Sequence, residues 1–153
     1  MPAVISIIGR KGSGKSEILE QLISLLKQRG LRIGVIKHLA REDFEIDQPE
    51  KDTYRYRTQG ASKVMLSGRK RLAIFANLEE ETPLQNLLVQ FQEYDLVFLE
   101  GYFSDDFPKI EIHKEQTNQL QEIIHFIEDQ FRQQKKGTGL NLRPVPFFGQ
   151  SNL

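Results

Sequence analysis

The chain has 153 residues, 39% of them hydrophobic, and its 21 Lys and Arg balance 21 Asp and Glu to a formal charge of zero. That length fits one domain with a real core, and the missing basic excess excludes a dedicated nucleic-acid binder. Absence of cysteine excludes disulfides, thiolate metal sites and a cysteine nucleophile; no apolar run nears the roughly 20 residues of a membrane span, and no secretory signal is visible, so a soluble cytoplasmic protein without membrane partners is expected.

Ala3 to Ile8 is a short β-branched run and predicts a buried strand. Gly9 to Gly14 is glycine-rich. Ile18, Leu19, Leu22, Ile23, Leu25 and Leu26 then recur at helical spacing until Gly30. Arg32 to Lys37 predicts a second strand, parallel to the first across the helix. The stretch from Arg41 to Arg57 carries six acids and four bases around Pro49 and reads as a polar loop, with a helical turn from Asp52. A loop this long in a small domain is usually functional. Lys63–Leu66 and Leu72–Phe75, joined by Ser67 to Arg71, predict a hairpin. Leu84, Leu87, Leu88 and Phe91 have helical spacing. Leu96 to Leu99 predicts a central strand, and Ile110 and Ile112 an outer one. Leu120, Ile123, Ile124, Ile127 and Phe131 predict a final amphipathic helix, with Thr117 as its N-cap. The expected fold is α/β: a P-loop NTPase-like, mainly parallel sheet flanked by helices, with an inserted β-hairpin. A nucleotide-binding domain over 1–134 and a basic tail over 135–153, docked or disordered, complete the expectation.

Gly9-Arg10-Lys11-Gly12-Ser13-Gly14-Lys15-Ser16 fits G-x-x-x-x-G-K-[ST] at every fixed position, between a predicted strand and a predicted helix. Glycines let backbone N–H groups turn inward as an anion nest, and the helix N-terminus adds partial positive charge. Lys15 would reach the β- and γ-phosphates, and the Ser16 hydroxyl would ligate Mg²⁺. Gly9, Gly12, Ser13 and Gly14 would form the cradle. Arg10 and Lys11 are either solvated loop bases or a cation offered to a neighbouring subunit's nucleotide.

Glu100 closes the apolar strand and precedes Gly101. Strand carboxyl ends face the ligand crevice in open α/β sheets. A carboxylate there would hold the Mg²⁺ or its water, or orient a nucleophile. Asp47 would position a water on the ion, or is simply solvated. Asp52 would cap the turn at Thr53 or touch a substrate. His38 follows the second strand on the ligand side. With only His38, His113 and His125 present, no histidine-rich metal cluster is arguable, and His125 reads as a surface residue.

Three stretches carry a family resemblance: the phosphate loop; Gly34-Val35-Ile36-Lys37-His38 followed by Asp47 to Arg55 and Gly60-Ala61; and Leu99-Glu100-Gly101-Tyr102 followed by Pro108 to Ile112. In these the chain resembles the molybdopterin-guanine dinucleotide biosynthesis adapter (MobB) family, over about Val4 to Lys114, with the match failing beyond. The resemblance implies a homodimeric P-loop protein that binds GTP with Mg²⁺ and hydrolyses it poorly. It also implies association with the guanylyltransferase MobA, which joins GMP to molybdopterin; whether molybdopterin touches this chain stays open. By position it strengthens His38, Asp47, Asp52 and Glu100 as site residues. Where the family often has Pro-Gly-Lys-Asp, this chain has Pro49-Glu50-Lys51-Asp52, and the family's second histidine after His38 is missing. No Asn-Lys-x-Asp motif for guanine is present, so the residues alone leave a P-loop kinase of a small metabolite, or a scaffold without nucleotide, as alternatives.

Overall fold

The computed structural model describes residues 1–40, 44–103, 105–113 and 119–137. In chain order the elements are β1 (Ala3–Ile8), α1 (Lys15–Gln28), β2 (Ile33–Lys37), α2 (Asp52–Thr58), β3 (Lys63–Ser67), β4 (Leu72–Ala76), α3 (Leu84–Leu88), β5 (Leu96–Glu100), β6 (Lys109–Glu111) and α4 (Gln119–Gly137). None of the described helices is long and apolar enough to cross a membrane. The chain divides into two compact units. One comprises residues 1–38 with the chain from 88 onward, and the other comprises 39–87.

The first unit is built on a four-stranded sheet in the order β2-β5-β1-β6, and every pairing in it is parallel. β1 and β2 are consecutive strands joined by α1, yet β5 lies between them. β5 is therefore paired on both edges, and Leu96, Val97, Phe98 and Leu99 on its two faces are fully buried. An unbroken apolar run is the sequence form of such a strand. Ala3, Ile5 and Ile7 of β1 and Leu96 and Phe98 of β5 pack with Leu19, Leu22 and Leu26 of α1 and with Ile123, Ile124, Ile127 and Phe131 of α4. An ion pair of 3.7 Å between Arg29 and Glu128 joins the same two helices. The buried Ser6 hydroxyl donates to the Tyr102 carbonyl at 2.9 Å, which satisfies a polar group inside the sheet.

Away from this cluster, the helix expected over Leu84 to Phe91 ends at Leu88 and tightens into a 3₁₀ turn over Val89–Phe91. That turn lays the Phe91 ring over Gly34 of β2, where a Cβ would overlap the ring edge. Phe91 is held from the far side by Tyr94, with ring centroids 5.1 Å apart. The final helix runs from Gln119 to Gly137, beyond the apolar positions that predicted it. The expected cap Thr117 and residues 138–153 of the expected tail lie outside the described residues.

In the second unit β3 and β4 pair antiparallel, with Met65 opposite Ile74. α2 packs on β3. The N-cap of α2 is Lys51, with no side-chain cap bond. Asp52 therefore does not cap the turn; as the first helical residue it pairs with Arg55 one turn on. Arg57 organises the unit. Its guanidinium donates to Glu45 Oε2 at 2.6 Å and lies 3.9 Å from Asp47 Oδ2. It also sits 5.6 Å from the Tyr54 ring centroid and 5.4 Å from that of Phe75. The polar loop is thus tied to the hairpin through one arginine.

Gly34→Ala should destabilise the protein by about 1–3 kcal/mol through overpacking against Phe91, read by chemical denaturation; unchanged stability would mean that the ring turns aside freely. The Arg57 hydrogen bond, followed by the Asp47 backbone N–H, holds the Glu45 carboxyl below its ordinary pKa. The pair's contribution is then fully present above the unfolded carboxylate value and lost as pH falls through the lowered one. Wild type should exceed Glu45→Gln in stability at neutral pH, and acid titration should close that gap; a gap independent of pH would rule out the carboxylate charge as its source.

Candidate functional site

The parallel register brings the carboxyl ends of the strands to one edge. Ile7 and Lys37 both pair with Glu100, and Ile8 pairs with Glu111. The connections run in opposite directions about β1, α1 leading from it past β5 to β2 and the β5–β6 link crossing to its other side. This is the topological switch point where open α/β sheets form a ligand crevice.

The loop from Gly9 to Gly14 fills that point. Gly12 and Gly14 both have positive φ, 77° and 87°, and Gly14 is the left-handed N-cap of α1. The Ser13 N–H donates to the Arg10 carbonyl at 3.1 Å, and the Ile18 N–H to the Gly14 carbonyl at 3.0 Å, opening the helix. Gly9 is required sterically. A Cβ there would stand 2.6 Å from the Ile112 carbonyl and 2.8 Å from Ser13 Oγ, so the loop lies directly on the end of β6. Lys15 folds back across the loop, its ammonium donating to the Gly9 and Arg10 carbonyls at 2.8 Å each. Ser13 Oγ is buried with no hydrogen-bond partner. A buried hydroxyl without a partner is expensive, and at this position it suits a phosphate oxygen.

A cleft of about 580 Å³ opens over the loop, lined by Lys11 to Ile18 with Glu100 and His113. The loop residues Gly12, Ser13, Gly14, Lys15 and Ser16 and the carboxylate Glu100 are thus brought together. Glu100 is largely buried, with 13% of its side chain exposed, and accepts from Lys37 Nζ at 3.1 Å. Its direction is set by the next residue. Gly101 has φ 84° and a Cβ there would lie 2.8 Å from the His38 carbonyl, while the His38 N–H donates to the Glu100 carbonyl at 2.8 Å. The His38 ring packs against Tyr102, with centroids 4.9 Å apart. His38 thus shapes the turn that carries Glu100, and the histidine lining the cleft is His113. His125 is exposed on α4.

Asp47 and Asp52 lie in the second unit. Asp47 is buried, with 8% of its side chain exposed. Its Oδ1 accepts from Thr53 Oγ1 at 3.1 Å and from the Gln48 N–H at 3.0 Å, and its Oδ2 is buried without a hydrogen bond. Asp52 is exposed beside Arg55. Lys37 and His113 are the site residues that sequence reading left without a role. Both directly follow strand runs whose carboxyl ends face the crevice, which is the signal that would have found them.

What this arrangement can do is hold an anion chain, through a helix N-terminus and one ammonium already folded over the loop. The family model for molybdopterin guanine dinucleotide synthesis protein B, MobB, matches residues 4–129. The molybdopterin-guanine dinucleotide biosynthesis adapter protein of Haemophilus influenzae is 36% identical over 127 residues, covering 81% of this chain and 71% of that protein. The Escherichia coli adapter protein is 32% identical over 119 residues, covering 75% of this chain and 67% of its own. The crystal structure of Bacillus subtilis MobB has a TM-score of 0.61 and 25% identity, covering 78% of this chain and 72% of that one. A MobB homolog from Bacillus stearothermophilus, 24% identical, shares the fold, with a TM-score of 0.54 over 77% of this chain and 70% of the other. The family match extends to residue 129, into α4, rather than failing after Lys114. With the glycine-rich loop and the parallel sheet inside the matched span, from β1 at its second residue onward, the chain belongs to the MobB family.

Proposed function

We propose that this protein is a nucleotide-binding adapter in the formation of the guanine dinucleotide form of the molybdenum cofactor. In this reading it binds GTP with Mg²⁺ at the Gly9–Ser16 loop, hydrolyses it slowly, and works in the cytoplasm as a homodimer beside the guanylyltransferase MobA. The observation that carries the nucleotide reading is the buried, unpartnered Ser13 hydroxyl inside a loop whose lysine is already folded over it. The adapter role follows from the names of the relatives.

In the bound protein Lys15 would exchange the Gly9 and Arg10 carbonyls for phosphate oxygens. The Ser13 hydroxyl would donate to the same chain of oxygens, and the N–H groups at the start of α1 would hold its charge. Among the described residues no group of three or more His, Cys, Asp or Glu could hold a metal ion alone. Mg²⁺ suits this, since it usually binds through one or two protein oxygens plus substrate phosphates and water; Ser16 and Glu100 are the residues that would hold it. Such an ion would offset charge on the phosphates. Glu100, in an ion pair with Lys37, is poorly placed to activate a water by itself, which supports slow turnover.

Lys15→Ala should abolish nucleotide binding while leaving the fold unchanged, because the residue makes only loop contacts. Equilibrium binding with a circular-dichroism control decides it, and micromolar affinity in the variant would overturn the site. Calorimetric titration with GTP and with ATP, each with Mg²⁺, should give tighter GTP binding; equal or tighter ATP would favour the small-metabolite kinase instead.

A further inference from the structure

Lys37 and Glu100 are the last residues of adjacent parallel strands and stand opposite each other in the register. Opposed residues project to the same face of a sheet, and here the two side chains meet at 3.1 Å. The partners differ in burial. Glu100 is 13% exposed and lines the cleft over the phosphate loop, whereas the Lys37 side chain is 53% exposed. β1, which feeds the loop, is the next strand over. Lys37 therefore stands two strand spacings, about 10 Å, from the root of the loop, and its flexible four-carbon stem leans over β5 toward it. An ammonium has three donors, and a bond to one carboxylate oxygen leaves two for other acceptors.

A carboxylate at the end of β5 without compensation would repel a bound polyphosphate. Lys37 removes that repulsion in this structure, and the same oxygens are those a phosphate-bound cation would seek. Lys15 shows the same arrangement in the loop itself, its ammonium held by the Gly9 and Arg10 carbonyls.

We propose that Lys37 is a second phosphate-contacting lysine of the nucleotide site, held by Glu100 in this structure and turned onto the terminal phosphate once Glu100 faces a cation carried by the nucleotide. The inference rests on the reading of the loop as a nucleotide site. It assigns Lys37 to the γ-phosphate and leaves the α- and β-phosphates to the loop. Lys37 then distinguishes nucleoside triphosphate from diphosphate.

The test is a set of titrations with GTP and with GDP, both with Mg²⁺, on wild type, Lys37→Met and the double variant Lys37→Met/Glu100→Gln. Lys37→Met should weaken GTP by about tenfold or more, the scale of a charge-assisted hydrogen bond, and leave GDP within about twofold. The double variant should remain weak for GTP. Recovery of GTP affinity there would mean that Lys37 only neutralises Glu100, and would overturn the proposal. Equal loss of both nucleotides, or loss of neither, would overturn it as well. Glu100→Gln alone supplies an independent arm. By freeing Lys37 it should tighten GTP, not GDP, when Mg²⁺ is removed with chelator; no change or weaker binding would count against the assignment. Wild type that binds neither nucleotide removes the site reading and this inference together, while wild type that binds both with Lys37 variants indifferent removes this inference alone.

Discussion

The insertion of β5 between β1 and β2 is the constraint on which the rest depends. It is a packing event before it is a functional one. Four consecutive apolar residues need cover on both faces, and an interior position, with a paired strand on each edge, keeps them from water. Once β5 is there, the parallel register leaves no freedom in what meets at its carboxyl end. Glu100 falls beside Lys37 on one flank and beside the root of the phosphate loop on the other. The burial of Leu96 to Leu99 thus fixes the position of a carboxylate that contributes nothing to the core. α1 and α4 complete the arrangement from one face, packing on the same β1 and β5 side chains.

Much of this was legible in the chain, and the boundary of legibility follows the range of the interactions. The phosphate loop could be read from eight consecutive residues because its function is local. The loop needs glycines for inward N–H groups, and a lysine and a serine at the start of a helix. β5 was readable from its unbroken apolar run and the amphipathic α4 from periodicity. The place of Lys37 at a strand end was legible, but its pairing with Glu100 was not, because that partner is 63 positions away and the two meet only once β5 pairs with β2. The α3 region was read as one helix because its leucines are correctly spaced, but close approach of Phe91 to Gly34 is what ends the regular helix early.

The acidic loop gave the least away. Its charges look like a solvated face, yet Arg57 gathers Glu45 and Asp47 and stacks between two aromatic rings. Charges spaced ten and twelve residues apart carry no period that would announce a cluster. The same geometry explains why Asp47 is buried: Thr53, the Gln48 backbone and the Arg57 charge all face it. Asp52, five residues on, has only a neighbouring arginine and stays in solvent. Two acids with similar sequence surroundings thus end in opposite environments.

The self-contact of Lys15 has a thermodynamic side. A free lysine has many rotamers, and fixing one costs up to about 2 kcal/mol in side-chain entropy. Here the ammonium already spans the loop through two carbonyls, so folding has ordered the chain in advance. On the nucleotide reading, capture of a phosphate would be a swap of acceptors around a cation already in place. Preorganisation of this kind lowers the entropic barrier to association, but the two carbonyl bonds surrendered reduce the net heat released. On that reading the loop would favour ready exchange over tight retention, a balance set by the Gly9 and Arg10 carbonyl oxygens.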